Sequence, residues 1–149
     1  MKHPFILNAV WNGGRNSTGT IEAGQLQTQI SIPKEMGGPG AGTNPDEMLL
    51  GAAATCYLIT LAAMLERSEL ATAGLTLQSE ASVDVTNNIF TYESIKHSPV
   101  ITLTAGASQE DIAKAVRIAR KAETSCMISR AVAGNVLIST EPTVLTADH

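Results

Sequence analysis

Three short β-like runs of mixed apolar and polar residues open the chain, residues 5–11, 18–22 and 26–32, bounded by turn residues as strands are. Asn12-Gly13-Gly14-Arg15-Asn16 separates the first two runs and Ala23-Gly24 the second two. Both links are rich in residues that tolerate positive φ, so the runs read as an antiparallel meander. Pro33 ends it, and an irregular loop follows with four glycines and one proline between residues 36 and 43. The pattern then turns helical. Asn44 suits an N-cap, Pro45 suits the first helical position, and Glu47 closes an Asn-x-x-Glu capping box. From there to about residue 69, Ala and Leu occupy most of the circumference, which predicts a long helix buried nearly all round. Covering such a helix in a small domain requires a sheet on one side and a partner chain on the other.

Residues 75–85 alternate in part, Asn87-Asn88 supplies a turn, and residues 90–103 return as a less regular strand containing Pro99. Ser108-Gln109-Glu110-Asp111 caps a second helix, amphipathic through Ile112, Val116, Ala119 and Ala122. Lys114, Arg117, Arg120 and Lys121 fall on its outer face, and the row of Lys114, Arg117 and Lys121 reads as solvated. After Cys126, the positions Ile128, Ala131 and Val132 continue a short helical turn that Gly134-Asn135 closes. Residues 136–140 form a last strand, which Pro142 stops. The order βββ-α-ββ-α-β is α+β, in a single domain over residues 1–149.

Hydrophobic residues make up 44% of the chain and aromatic ones 3%, so the core is built from Ala, Leu, Ile, Val and Met. A net charge of −4 argues against a nucleic-acid partner, which leaves a basic footprint. The longest apolar stretch, residues 48–64, is interrupted by Gly51, Thr55 and Thr60 and reads as short of a membrane span of about 20 residues. The apolar run at residues 5–7 is too short for a secretory segment. The expected address is the cytoplasm, where disulfides are mostly transient and catalytic.

There are two cysteines, Cys56 and Cys126. Free Cys is commonly a small buried hydrophobe, and composition alone favours that reading. A metal site lacks support, because there is no CxxC and His3, His97 and His149 lie at no ligand spacing from either thiol. A catalytic reading needs a thiolate, stabilised by a cation or a helix N-terminus. It also needs a second thiol to trap the sulfenic acid.

Local motifs move that balance. Gly37-Gly38-Pro39-Gly40-Ala41-Gly42-Thr43-Asn44-Pro45-Asp46-Glu47, leading into Ala52-Ala53-Ala54-Thr55-Cys56-Tyr57, resembles the first cysteine motif of the organic hydroperoxide resistance and osmotically induced (Ohr/OsmC) family. Cys126-Met127-Ile128-Ser129-Arg130-Ala131-Val132-Ala133-Gly134-Asn135-Val136 resembles its second, and Gly13-Gly14-Arg15 resembles the Ohr branch. The resemblance covers nearly the whole chain. It implies an OsmC-like fold with antiparallel sheets on a long buried central helix, in an intertwined homodimer without metal or organic cofactor. The implied activity is a peroxidase acting on organic hydroperoxides and re-reduced by a dithiol, dihydrolipoamide in the Ohr branch. By the same resemblance Cys56 is the peroxidatic thiol, Cys126 the resolving thiol, and Arg15 the cation that stabilises the thiolate. Asp46 stands where the family has the glutamate that holds this arginine, with Glu47 one residue later as a substitute. Met127 stands where the family often has proline.

Ten residues of straight helix place Asp46 about 15 Å from Cys56 along the axis. Either the helix breaks near Gly51, or the arginine and acid serving Cys56 come from the partner chain, the arrangement preferred here. Cys56 also lies mid-helix in apolar surroundings, where burial raises a thiol pKa, so activation is expected from Arg15 and not from a helix end. Met36, Met48, Met64 and Met127 read as packing, and Trp11 as packing at its strand end. Two rivals remain. A cysteine hydrolase or transferase needs a histidine base beside Cys56. A non-catalytic OsmC-like dimer would bind a small apolar ligand, its cysteines redox-sensing or vestigial.

Overall fold

A computed structural model describes residues 1–148, which form two compact units, Met1–Leu49 and the chain from Leu50 onward. His149, considered above as a ligand, lies outside the described residues. The first unit is the expected meander: β1 (Asn8–Trp11), β2 (Gly19–Ala23) and β3 (Leu26–Ile30), paired antiparallel in that order. Strand β1 starts later than the first run suggests, and Phe5, Ile6 and Leu7 are exposed ahead of it. The Trp11 indole N–H donates to the Gly14 carbonyl at 3.0 Å and closes the turn. After a 3-10 turn at Lys34–Met36, the glycine-rich loop doubles back on the end of β3. The Thr43 N–H donates to Gln29 O at 2.9 Å and the Ser31 N–H to Thr43 O at 3.1 Å, while the Ser31 hydroxyl brackets both backbone groups of Ala41 at 2.7 Å. Gly42 makes this approach possible. Its φ is +67°, and a Cβ there would lie 2.0 Å from Gln29 O, so no other residue passes without moving the backbone.

Helix α1 (Pro45–Arg67) begins as its caps predict. The Glu47 N–H donates to Asn44 Oδ1 at 2.9 Å, and the Asn44 amide donates to Glu47 Oε1 at 3.0 Å. The helix runs without a break through Gly51, which removes the broken-helix alternative. Its own chain covers one face. Ala53, Tyr57, Leu61 and Leu65 are buried, a stripe of period four, while Ile59 is 70% exposed. At 23 residues the helix is also long and apolar enough, by length and composition only, to cross a membrane, where no run was expected to approach such a span.

The second unit holds a long hairpin of β4 (Thr72–Thr86) and β5 (Ile89–Leu103). Asn87 and Asn88 turn it at φ 52° and 63°, the left-handed pair that a two-residue hairpin needs. Strands β6 (Leu137–Thr140) and β7 (Thr143–Thr146) then run parallel to β5, one beyond the other. The sheet is therefore mixed, where a purely antiparallel one was expected, and β7 is an additional strand. Pro142 interrupts the ladder because it has no N–H to offer, but the chain resumes pairing at Thr143.

Helix α2 (Gln109–Ser125) starts with a complete capping box, the Ser108 N–H on Asp111 Oδ2 at 2.9 Å and the Asp111 N–H on Ser108 Oγ at 3.1 Å. Ala115, Ala119 and Ala122 of α2 pack with Tyr57, Leu61, Leu65, Ile101 and Leu103 in the core. Its cations are less idle than a solvated row. Lys114 Nζ donates to Ser68 O at 3.0 Å, at the end of α1, and Arg120 donates to Thr140 O at 3.3 Å. The cation at Ser68 O also suits the negative end of the α1 dipole. Arg117 does lie exposed, paired with Glu110 at 3.1 Å.

Inside this core His97 is fully buried, its ring stacked on Tyr57 with centroids 4.6 Å apart and planes 6° apart. Nδ1 shares a 2.7 Å hydrogen bond with the Ser79 hydroxyl, and Nε2 has no hydrogen-bonding partner. Burial holds the imidazole below its ordinary pKa. The folded protein therefore binds this proton less readily than the unfolded chain does. Stability from this group is present above the unfolded value of about 6.5 and is lost as pH falls from there toward the lower folded value. Urea unfolding midpoints at pH 7.5 and pH 5.0 test this: the drop should be smaller in His97→Phe, which keeps a flat ring on Tyr57 and removes the proton site. An equal drop in both proteins would assign the acid sensitivity elsewhere.

Candidate active site

Cys56 lies midway along α1, one residue before the buried Tyr57, and is half-buried, less deeply placed than its apolar helix suggests. Cys126 is fully buried at the junction of two helices. Its extended backbone (φ −70°, ψ 128°) closes α2 and opens α3 (Met127–Val132). Its N–H donates to Ala122 O and its carbonyl accepts from the Arg130 N–H, both at 3.1 Å. Both cysteines are free thiols.

The two meet. The Cys56 thiol has Cys126, the backbone amides of Ile128 and Met127 and the Thr60 hydroxyl as hydrogen-bonding neighbours that lower its pKa. Those two amides belong to the first turn of α3, whose N–H groups have no acceptor within the helix. The side chain of Cys126 makes no capping bond of its own. Cys56 thus supplies from another helix the acceptor that the start of α3 lacks. Burial alone pushes the Cys56 thiol up, but these donors outweigh it and bring the thiol below its ordinary range. Hydrogen bonds to the charged form favour that form.

Cys56 lies mid-way along α1, away from that helix's own N-terminus, as expected, and the amides beside it belong to the start of another helix. The end that serves is that of α3, because α2 stops at Cys126 and presents it. Thr60, Met127 and Ile128 were not singled out for this role. Thr60 was open to discovery, since it follows Cys56 by one helical turn. The amides were not, because hydrophobic spacing does not say which helix start faces which side chain.

The remaining predicted residues lie in the first unit. Arg15 is exposed but engaged: Nη1 donates to Asn16 Oδ1 at 2.8 Å, and Nη2 to the Met36 carbonyl at 3.1 Å. It ties the β1–β2 turn to the start of the glycine-rich loop. Asp46 and Glu47 occupy the first turn of α1, and Glu47 Oε1 accepts from Thr43 Oγ1 as well as from Asn44, each at 3.0 Å. Among the described residues, no group of three or more His, Cys, Asp and Glu side chains is arranged to hold a metal ion.

Comparison with known proteins agrees with the fold. A family sequence model described as OsmC-like protein matches residues 38–141. The uncharacterized protein YmaD of Bacillus subtilis is 60% identical over 142 residues, 95% of each chain. An organic hydroperoxide resistance protein of Xanthomonas axonopodis pv. citri is 26% identical over 133 residues, 89% of each. Among solved structures, an organic hydroperoxide resistance protein OsmC of Legionella pneumophila superposes with a TM-score of 0.74 at 26% identity, covering 95% of this chain and 99% of that one.

The Met127 amide can be tested separately from its side chain. Proline is tolerated at the first position of a helix, so Met127→Pro should fold while deleting one donor to Cys56. A hydrogen bond to a charged group is worth enough to change reactivity about tenfold or more. Alkylation of Cys56 by iodoacetamide, followed by mass spectrometry at mildly acidic pH, should slow by that order in Met127→Pro. In Met127→Ala it should stay close to wild type.

Proposed function

Because this chain belongs to the OsmC-like protein family, we propose that it is a thiol-dependent peroxidase that reduces organic hydroperoxides to alcohols. What supports this reading is the pair of free thiols, with Cys126 beside Cys56 among the groups that lower the Cys56 thiol. The names of the Xanthomonas and Legionella relatives support the substrate class.

The chemistry balances without a metal or organic cofactor. Cys56 thiolate attacks the O–O bond of ROOH, forming Cys56–SOH and an alkoxide that takes up a proton and leaves as ROH. Cys126, as thiolate, attacks the sulfenic sulfur, and the S–O bond breaks with loss of hydroxide, protonated to water. An external dithiol, such as dihydrolipoamide, then reduces the disulfide by two thiol exchanges. Holding the second thiol in contact with the first favours capture of the sulfenic acid before it oxidises further.

In this proposal the protein works in the cytoplasm as a homodimer, with Arg15 and its acid, Asp46 or Glu47, contributed by the partner subunit. The unbroken α1 supports that assignment, since residues 46 and 56 are separated by about 15 Å of rigid helix. Arginine suits the role because it stays charged and offers a planar fork of donors. The Ala-rich, weakly polar surroundings of Cys56 favour bulky organic peroxides over hydrogen peroxide.

Peroxide consumption with dihydrolipoamide or dithiothreitol tests the reading. Wild type should consume cumene hydroperoxide faster than hydrogen peroxide, Cys56→Ser should lose the activity, and Cys126→Ser should react once and stall. Wild-type turnover no faster than that of Cys56→Ser would end the peroxidase assignment. A mixed dimer of Cys56→Ser and Arg15→Ala chains tests the arginine, since each defective chain supplies what the other lacks. Its activity should approach half that of wild type, and a dimer as inactive as its parents would place Arg15 elsewhere.

A further inference from the structure

Reduction of a Cys56–Cys126 disulfide begins with attack on one of its two sulfurs, and the rate depends on which one is reached. The structure presents the two unequally. Cys126 is 0% exposed, and Ala122 and Ser129 on either side of it in the chain are buried as well. Its backbone is held from both directions, the N–H donating to Ala122 O and the carbonyl accepting from the Arg130 N–H, each at 3.1 Å. All of this cover comes from its own chain. A second chain docked on this surface adds cover and removes none, so a dimer leaves Cys126 enclosed. Cys56 is half-buried on the flank of α1, in the same stretch of helix as the exposed Ile59. It is also the sulfur that a peroxide has to reach, so the working protein must leave an approach to it.

We propose that the reducing dithiol attacks the Cys56 sulfur, so that the mixed disulfide forms on Cys56 and Cys126 is the thiol released. The proposal deepens the peroxidase reading and rests on it. In the first exchange the incoming thiolate bonds to the Cys56 sulfur as the Cys56–Cys126 bond breaks. The electron pair leaves on Cys126, which takes up a proton. In the second, the reductant's other thiolate attacks its own sulfur in the mixed disulfide, releases Cys56 as thiolate and closes the oxidised reductant. Acidity argues for the opposite order. A thiol of lower pKa leaves faster, and Cys56 is the thiol held below its ordinary range, which on its own would direct attack to Cys126. Leaving-group acidity grades a rate, however, whereas a fully enclosed sulfur gives a nucleophile no line of approach. Access decides. Peroxide and reductant therefore use the same opening in turn, and Cys126 meets no reagent from outside.

The test oxidises the wild-type protein with a stoichiometric amount of diamide, which involves no peroxide, and then adds the monothiol 2-mercaptoethanol. Samples quenched early with acid are unfolded, blocked with N-ethylmaleimide and mapped by peptide mass spectrometry. The mercaptoethanol adduct should lie on Cys56 and the maleimide on Cys126, with the reverse pattern nearly absent. Repeated in urea, where both sulfurs are open, the same experiment should give adducts on both. Adducts shared equally in the folded protein, or mainly on Cys126, would overturn the proposal. So would a preference for Cys56 that persists in urea, since burial would not be its cause, or a failure of diamide to form the disulfide. Cumene hydroperoxide as the oxidant separates the two readings. A disulfide formed by diamide and never by this peroxide would refute the peroxidase reading and leave the order of attack standing.

Discussion

Tyr57 sets the rotation of α1 within the second unit, and the candidate site follows from it. The side chain is fully buried, its ring lies flat on His97, and its hydroxyl donates to Ala119 O of α2 at 2.8 Å. That ties one helix to β5 and to a second helix through a single residue. Adjacent residues on a helix differ by about 100° in direction. With Tyr57 turned into the core, Cys56 is carried to the flank of the buried stripe, facing the α2–α3 junction where Cys126 lies. The thiol contact is thus a consequence of core packing. Burial pushes the Tyr57 phenol far above its ordinary pKa, so it remains a neutral hydrogen-bond donor at any working pH.

The site's electrostatics are built largely from neutral groups. A desolvated thiol is normally a poor thiolate, and burial is the largest influence on Cys56. What reverses it is the coincidence of a helix start that lacks acceptors with a sulfur that lacks donors. Each satisfies the other, which also explains why Cys126 can open α3 without capping it.

The first unit devotes its irregular backbone to one purpose. Gly42, Ser31 and Thr43 fold the glycine-rich loop against β3, and Asn44 and Glu47 then start α1 from a fixed point. Arg15 joins this assembly through the Met36 carbonyl. The guanidinium is therefore held by the loop's start while remaining exposed.

Much of this was determined by the sequence. The meander, the long helix with its Asn44 cap, the hairpin at Asn87-Asn88, the Ser108 capping box and the short turn after Cys126 all rest on contacts within a few residues, where spacing and caps are decisive. The two cysteine motifs were legible for the same reason. Tertiary structure alone decided the remainder. The apolar circumference of α1 does not say which stripe is covered, and Pro142 does not reveal that β7 resumes pairing with β5. Lys114 and Arg120 look solvated until the carbonyls they reach are in place. Above all, no periodicity shows that the first amides of α3 end on Cys56. That contact joins elements far apart in the chain, and it exists because Tyr57, buried against His97 and α2, aims its neighbour there.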